Sequence, residues 1–347
     1  MGKDRAEKIR EFILTSVAQH PSDLVEVVER KFGVTRTTVH RHINTLINNE
    51  KLIKTGAKRG ARYYLAGALN KELVFKIVEH PEEHKVWDDS LSSTFKGIDK
   101  GVEDICYYGF GEIFNNAVDH SEGKKIKVDV GVDAEKIELT ITDDGIGVFR
   151  KIQEYLNLED IRESVLHLIK GKFTTAPDYH SGEGIFFSSR AFDVFTIYSN
   201  GLLYVRDNSQ DDWFIEDREN SKGKGTIVTM EIMKNSKRDL QDIFDHYQNP
   251  ETKAFDKTHI LVQFSKLGDE RFVSRSQAKR ILKGIEKFNH VILDFKGISA
   301  VGQAFVDEVF RVFKGSHPEI KIEHINANDA IEFMIKRGLS TAELNRG

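Results

Sequence analysis

Four short polar segments in the middle of the chain constrain its fold most, because each joins carboxylates or glycines to an apolar helix or strand pattern. In the first segment, apolar residues recur at helical spacing from about Val102, and Glu112 and Asn116 stand four positions apart. Residues at that spacing share one face of a helix. A carboxylate there can orient and deprotonate a water, and an amide oxygen can ligate a magnesium ion that bridges phosphates.

The second segment, KIELTITDDGIGV, is predicted to be a strand that runs into a tight turn. Its alternating apolar residues precede Asp143, and the glycines at Gly145 and Gly147 allow close backbone approach and positive φ angles. The Asp143 carboxylate can accept a hydrogen bond from the exocyclic amino group of adenine.

Glycines also open the third and fourth segments. Gly182 and Gly184 precede an apolar helical run, so they predict a helix N-terminus whose N–H groups bind phosphate. The fourth segment, GKGTIVTMEI, is a glycine-bounded strand. Thr226 lies at its start, and its hydroxyl can join the hydrogen bonds around the base.

In this order, the four segments resemble the GHKL ATPase superfamily, which includes gyrase, heat-shock chaperones and histidine kinases. The resemblance covers about residues 95–235. It implies a mixed sheet backed by helices, with ATP held between them. The family roles fall on matching residues, with Glu112 activating water, Asn116 binding magnesium, Asp143 recognising adenine, and Gly182 and Gly184 binding phosphates.

Residues 149–181, between the second and third segments, correspond in this family to a mobile lid over the nucleotide. Lys172 and Thr174, within GKFTTAPD, are expected to reach a terminal phosphate when the lid closes. Gly171 and Gly182 suit the hinges of such a lid.

The segment ahead of Glu112 narrows the comparison within the superfamily. A sensor histidine kinase needs an acceptor histidine on a dimerising helix before its ATP-binding domain, and FKGIDKGVEDICYYGFG contains none. The string NNAVDHS instead resembles the anti-sigma factors that are serine protein kinases.

The N-terminal part of the chain carries a charge opposite to that of the rest. Residues 1–66 contain 13 Lys and Arg against 7 Asp and Glu, although the whole chain has a net charge of −4. A basic module joined to an acidic body favours contact with a polyanion.

Helical spacing predicts three helices in this module, the first from about Asp4 to Gln19 and the third capped by Thr35. The third helix presents a polar face that can reach phosphates and base edges in a DNA groove, formed by Arg36, Thr37, Thr38, His40 and Arg41. A hairpin follows, with basic residues at Lys58, Arg59 and Arg62. This arrangement resembles the winged helix-turn-helix family, which implies DNA binding, although many such domains serve protein contacts.

Residues 67–94 are predicted to connect the two domains, with a helix from Leu69 to His80 that Pro81 ends. After a linker at 236–256, strands alternate with helices, which predicts a small α/β layer. There, LDFKGISAVGQAFVDEVFRVF resembles the STAS fold of anti-sigma antagonists and, more closely, its STAS-like relatives of unknown function. The usual phosphoacceptor serine is replaced by the stretch Gly302–Phe305.

We therefore predict an α+β multidomain protein. Its domains are a winged helix at 1–66, a GHKL α/β sandwich at 95–235 and a STAS-like domain at 257–347. Because the chain has no long apolar window, no apolar signal core and a single cysteine, Cys106, we expect a cytoplasmic protein with no membrane partner.

Several functions fit this reading. In the first, the protein is a regulator that binds ATP and Mg²⁺ and hydrolyses ATP slowly. Lid closure then alters the affinity of the winged helix for DNA. It also alters the contacts of the other domains with a protein partner or a second protomer. In the second, an anti-sigma-type serine/threonine protein kinase phosphorylates a partner. A non-catalytic ATP sensor is the third.

Overall fold

The computed structural model describes residues 2–17, 19–49, 51–55, 61–65, 69–173, 182–217, 224–265 and 273–344. The predicted site residues Lys58, Arg59 and Thr174 lie outside these ranges. The chain divides into two compact units, one of residues 1–71 with 130–137 and the other of residues 72–129 with 138–347.

The N-terminal unit contains the predicted helices and hairpin, which are α1 (Gly2–Ser16), α2 (Leu24–Phe32), α3 (Arg36–Asn48), β1 (Leu52–Thr55) and β2 (Arg62–Leu65). The strands β1 and β2 pair antiparallel. Thr35 caps α3 as predicted, because its Oγ1 accepts the backbone N–H of Thr38 at 3.4 Å. The apolar faces of the helices form one core, in which Ile13, Val28 and Ile43 are fully buried.

Most residues of a seven-stranded sheet belong to the second unit, and its strands have the spatial order β3-β4-β5-β9-β6-β7-β8. Its strands are β3 (Leu69–Lys76), β4 (Lys125–Val132), β5 (Lys136–Asp143), β6 (Val194–Ser199), β7 (Leu202–Asp207), β8 (Asp212–Asp217) and β9 (Thr226–Met233). Buried residues alternate with half-buried ones along β4, β5 and β6, so one face of the sheet faces a core.

The predicted helix from Leu69 to His80 is wrong, because this segment forms the edge strand β3 followed by a short 3-10 turn. The apolar residues at 73, 74, 77 and 78 suggest a helical face, yet half-buried and exposed residues alternate from 71 to 76. Phe75 packs edge-on against Phe114, with 5.5 Å between ring centroids. Pairing within the sheet therefore overrides the local pattern.

Helices cover the core face of this sheet, and the predicted helix with Glu112 and Asn116 is the longest of those described. They are α4 (Glu83–Val86), α5 (Lys100–His120), α6 (Val148–Leu156), α7 (Arg162–Lys170), α8 (Gly184–Ala191) and α9 (Leu240–Tyr247). The predicted linker at 236–256 contains α9, whose Phe244 packs against Phe187 of α8 at 4.8 Å between centroids.

The C-terminal part of this unit is a small α/β layer, as predicted. Its parallel sheet has the order β10-β11-β12. The elements are β10 (Lys257–Leu261), α10 (Arg275–Leu282), β11 (His290–Asp294), α11 (Gln303–Val306), α12 (Lys314–Ser316), β12 (Lys321–Ile325) and α13 (Asp329–Leu344). A π-helical stretch, Asp307–Phe313, joins α11 to α12. In the described part of the chain, no helix has the length and apolar character needed to span a membrane.

Two glycines of α5 give a matched test of its packing. A methyl group at Gly109 would overlap the buried ring of Phe192, whereas at Gly111 the nearest atom is Cγ of Glu83 at 3.7 Å. Gly109→Ala should therefore lower the free energy of unfolding by about 1–3 kcal/mol through overpacking. Gly111→Ala should raise it by about 0.5–1 kcal/mol, because alanine favours helix.

Urea denaturation followed by tryptophan fluorescence measures both effects, since Trp87 and Trp213 belong to the same unit. Equal midpoints for the two variants would contradict the close approach of α5 to Phe192.

Candidate functional site

A cavity of about 280 Å³ collects residues from all four polar segments. It lies between α5 and the sheet, with Ile141 of β5 and Val228 of β9 on the sheet side. The predicted site residues that line it are Glu112, Asn116, Asp143, Gly147, Gly182, Gly184 and Thr226. Segments separated by more than a hundred residues thus meet around one space, although the roles assigned to these residues stay predictions.

Asp143 and Thr226 both lie in the cavity wall, and each side chain accepts a hydrogen bond from a nearby backbone N–H group. Asp143, only 7% exposed, accepts the backbone N–H of Gly145 on Oδ1 at 2.9 Å. Thr226 accepts the N–H of Val148 on its hydroxyl at 3.0 Å. Burial raises the pKa of Asp143, and hydrogen bonds from Gly145 and Thr226 oppose that rise. Asp143 is thus a fixed acceptor whose remaining lone pairs suit an amino group.

Close backbone packing explains the glycines beside this pair. A Cβ on Gly145 would overlap the carbonyl oxygen of Ser121, which accepts the N–H of Ile146 at 2.9 Å. Gly225 has a φ of +87°, and a Cβ there would overlap the carbonyl oxygen of Asp143. Gly145 itself does not line the cavity, so its structural task is to let the turn approach the end of α5.

Glu112 faces the N-terminus of α8. A Cβ on Gly184 would overlap its Oε2, so only glycine lets the helix start this close to the carboxylate. Burial raises the pKa of Glu112, and the negative charges of Glu183 and Glu83 raise it further. A carboxylate with a raised pKa is suited to accept a proton, because it is more basic than an exposed glutamate.

Asn116 lines the same cavity one helical turn beyond Glu112. Among the described residues, no group of three or more His, Cys, Asp or Glu side chains could hold a metal ion. The amide oxygen of Asn116 fits Mg²⁺ nevertheless, because this ion commonly takes few protein ligands and completes its shell with water and phosphate oxygens.

His120 and Lys151 line the cavity and were not predicted from the sequence. His120 stands four residues after Asn116 on α5, so helical spacing alone could have placed it there. Lys151 comes from α6, and its ammonium donates to the carbonyl oxygen of His120 at 2.6 Å and to Glu122 at 2.9 Å. No local pattern marks Lys151, because its position depends on how α6 packs against α5.

Lys172 lies elsewhere in this structure. Its ammonium donates to the carbonyl oxygen of Lys287 at 2.7 Å and lies 4.8 Å from the ring centroid of Phe288. Its predicted contact with a terminal phosphate stays a prediction that would require this hydrogen bond to break. The predicted lid at 149–181 contains the packed helices α6 and α7.

The third helix of the N-terminal unit presents the predicted polar face. Arg36, Thr37 and Arg41 are exposed, and Thr38 and His40 are half-buried, as is Arg62 on β2. Burial lowers the pKa of His40, and the charges of Arg36 and Lys54 lower it further. Lys54, on β1, therefore adds positive charge to the same surface.

Comparison with known proteins identifies two of the domains. Residues 101–236 match the histidine kinase-, DNA gyrase B- and HSP90-like ATPases. Residues 277–332 match the STAS-like domain of unknown function (DUF4325). No curated protein matches the chain. The chain therefore contains a GHKL-type ATPase domain and a STAS-like domain. The ATPase domain supports ATP binding. The mixed α/β structure of both regions fits these matches.

Glu183→Gln should lower the pKa of Glu112, because one of the charges that raises it is removed. The carboxylate form of Glu112 would then persist to lower pH than in the wild type. Side-chain ¹³C NMR titration measures this, with the signal assigned by its loss in Glu112→Gln. Glu122→Gln is the control, since Glu122 pairs with Lys151 and should leave the titration of Glu112 unchanged. A Glu112 midpoint that stays the same in Glu183→Gln would contradict the proposed coupling.

Proposed function

We propose that the protein is an ATP-binding regulator that hydrolyses ATP slowly with Mg²⁺ and couples nucleotide occupancy to DNA binding. The observation that carries this proposal is the convergence of Glu112, Asn116 and Asp143 on one cavity beside the start of α8. The match to the ATPase family at 101–236 supports the choice of nucleotide.

In this proposal each cavity residue has one task. Asp143 accepts the amino group of adenine, with Thr226 beside it. The backbone N–H groups at the start of α8 bind phosphate oxygens, since the first turn of a helix has free donors and a positive dipole end. Lys151 supplies positive charge at the cavity wall. Asn116 holds Mg²⁺, which when bound neutralises phosphate charge.

Glu112 orients and deprotonates the attacking water. Its raised pKa makes it a better base, but the protonated form cannot accept the proton. Hydrolysis should therefore be lost as the pH falls through the pKa of Glu112, at a higher pH than for an ordinary glutamate.

Glu112→Gln should abolish ATP hydrolysis and leave ATP binding as tight as in the wild type or tighter, because the side chain keeps its shape and loses its basicity and negative charge. Calorimetry with Mg·ATP measures the binding, and phosphate release measures the turnover. Asn116→Ala should weaken binding in the presence of Mg²⁺ and have a smaller effect in EDTA. Absence of binding heat in the wild-type protein would overturn the proposed nucleotide site.

Two further measurements separate the alternatives. Transfer of labelled phosphate from ATP to a second protein would favour the serine/threonine protein kinase. Normal regulatory behaviour of Glu112→Gln would favour the non-catalytic sensor.

We further propose that the N-terminal unit is a winged helix that binds DNA in the cytoplasm. Basic side chains on and beside α3 support this, since Arg36 and Lys54 both act on His40 and Arg36 and Arg41 are exposed on the helix. In the proposal, nucleotide binding changes the contacts of the ATPase and STAS-like domains with a protein partner or a second copy. These changes in turn alter the affinity of the winged helix for DNA.

The double variant Arg36→Ala/Arg41→Ala should weaken duplex DNA binding and reduce the slope of log K against log salt by about two, because each phosphate contact contributes about one. Fluorescence anisotropy over a range of salt concentrations gives both quantities. Lys237→Ala/Lys279→Ala, which removes two exposed lysines of the other unit, is the charge-matched control. An unchanged slope would remove the assignment of α3 to the DNA surface.

A further inference from the structure

The STAS-like domain holds a short segment, residues 170–172, that lies between two residues of the cavity wall. Leu168, near the end of α7, and Phe173 both line the cavity. Residues 169–172 connect them, and the contacts concern 170–172. Each polar contact described below for this segment reaches across to β10 or to the residues from 280 to 287.

Lys170 makes the most buried of these contacts. Its residue is 2% exposed, and its ammonium donates to the carbonyl oxygens of Arg280 and Lys283 at 2.8 and 2.9 Å. These carbonyls belong to the C-terminal end of α10, where a cation is favoured by the helix dipole and by acceptors that lack helical partners. Burial lowers the pKa of Lys170 to about 7, while Glu286 and Glu163 oppose that change.

Backbone contacts on both sides strengthen this attachment. The hydroxyl of Thr258, a fully buried residue of β10, donates to the carbonyl oxygen of Lys170 at 2.7 Å. Lys172 and Lys287 exchange hydrogen bonds, each ammonium donating to the carbonyl oxygen of the other, at 2.7 and 3.3 Å. The segment is thus fixed through main-chain and side-chain atoms together.

The residue between the two lysines is packed closely against two aromatic rings. Gly171 has a φ of +82°, and a Cβ there would lie 2.7 Å from the ring of Phe255 and 2.9 Å from that of Phe186. Phe186 belongs to α8, whose N-terminus borders Glu112. A shift of the STAS-like domain against residues 170–172 would therefore also displace Leu168, Phe173 and the start of α8, which all border the cavity.

A second contact anchors the STAS-like domain to the ATPase domain. Trp213 of β8, 3% exposed, packs edge-on against His259 with 5.4 Å between ring centroids. His259 in turn bonds through Nε2 to the buried carboxylate of Asp294 at 3.0 Å. The ammonium of Lys296 donates to the carbonyl oxygen of Asp211 in the β7–β8 turn. Two separate attachments make the domain a firm support for the segment at 170–172.

We propose that the STAS-like domain is an internal regulator of the nucleotide site, acting through Lys170 as a positioning residue. The inference rests on the proposed ATP-binding function. The docked domain holds residues 170–172 so that Leu168 and Phe173 form the cavity wall before nucleotide arrives, which strengthens nucleotide binding by preorganisation. Linkage makes the effect reciprocal, so nucleotide also strengthens the docking of α10.

Lys170→Met tests the proposal, because methionine fills the buried volume and removes both hydrogen bonds. It should weaken binding of a non-hydrolysable ATP analogue in calorimetry by at least about fivefold, the lower range of measured couplings. Lys287→Met, an exposed change that removes one reciprocal bond, should weaken binding less and in the same direction. Lys279→Met is the matched control, an exposed lysine of α10 that should bind the analogue like wild type.

Hydrogen exchange supplies a readout that a merely structural role would not change. In the wild type, the ATP analogue should slow amide exchange in residues 275–288, and in Lys170→Met this protection should disappear. Should Lys170→Met fail to fold, Lys287→Met and the wild-type exchange experiment still decide the question. If the wild type binds the analogue but exchange at 275–288 does not change, and Lys287→Met binds equally well, the inference fails while the proposed function stands. If the wild type does not bind the analogue, both fail.

Discussion

The cavity depends on one close approach of three backbone segments. The end of α5 at Ser121, the turn at Asp143–Gly145 and the start of β9 at Gly225 touch so closely that neither glycine has space for a Cβ. At this junction the N–H of Gly145 donates to Oδ1 of Asp143 at 2.9 Å and thereby orients the carboxylate. Larger side chains at either glycine would therefore force these segments apart and displace Asp143.

Much of this arrangement could be predicted from the sequence, because it is encoded in short-range spacing. Glu112 and Asn116 share a helix face by their four-residue separation, and the turn after β5 follows from alternation that ends in glycines. The helix cap at Thr35 is likewise a local signal. In each case the residues that form the feature lie within a few positions of one another.

The features that the sequence did not reveal depend on contacts between distant residues. The strand β3 has apolar positions compatible with a helix, and it becomes a strand because it pairs at the edge of the sheet and Phe75 meets Phe114. Lys151 and Lys172 are ordinary lysines in local sequence. Their partners, the carbonyl oxygens of His120 and Lys287, are 31 and 115 residues away. Spacing cannot identify such partners, because the tertiary packing of distant segments creates them.

The charges around the cavity bear on the proposed use of Mg²⁺ with the nucleotide. Three carboxylates line the described part of the wall, at Glu112, Asp143 and Glu183, against the lysine at Lys151 and the imidazole of His120. A triphosphate that enters this space meets like charges in a low-dielectric setting, where repulsion is stronger than in water. Protonation of Glu112 would relieve the repulsion but would remove the base. In the proposed function, a divalent cation held by Asn116 would relieve this repulsion and leave Glu112 ionised, so the charges that raise the pKa of Glu112 are a reason to propose Mg·ATP rather than free ATP as the ligand.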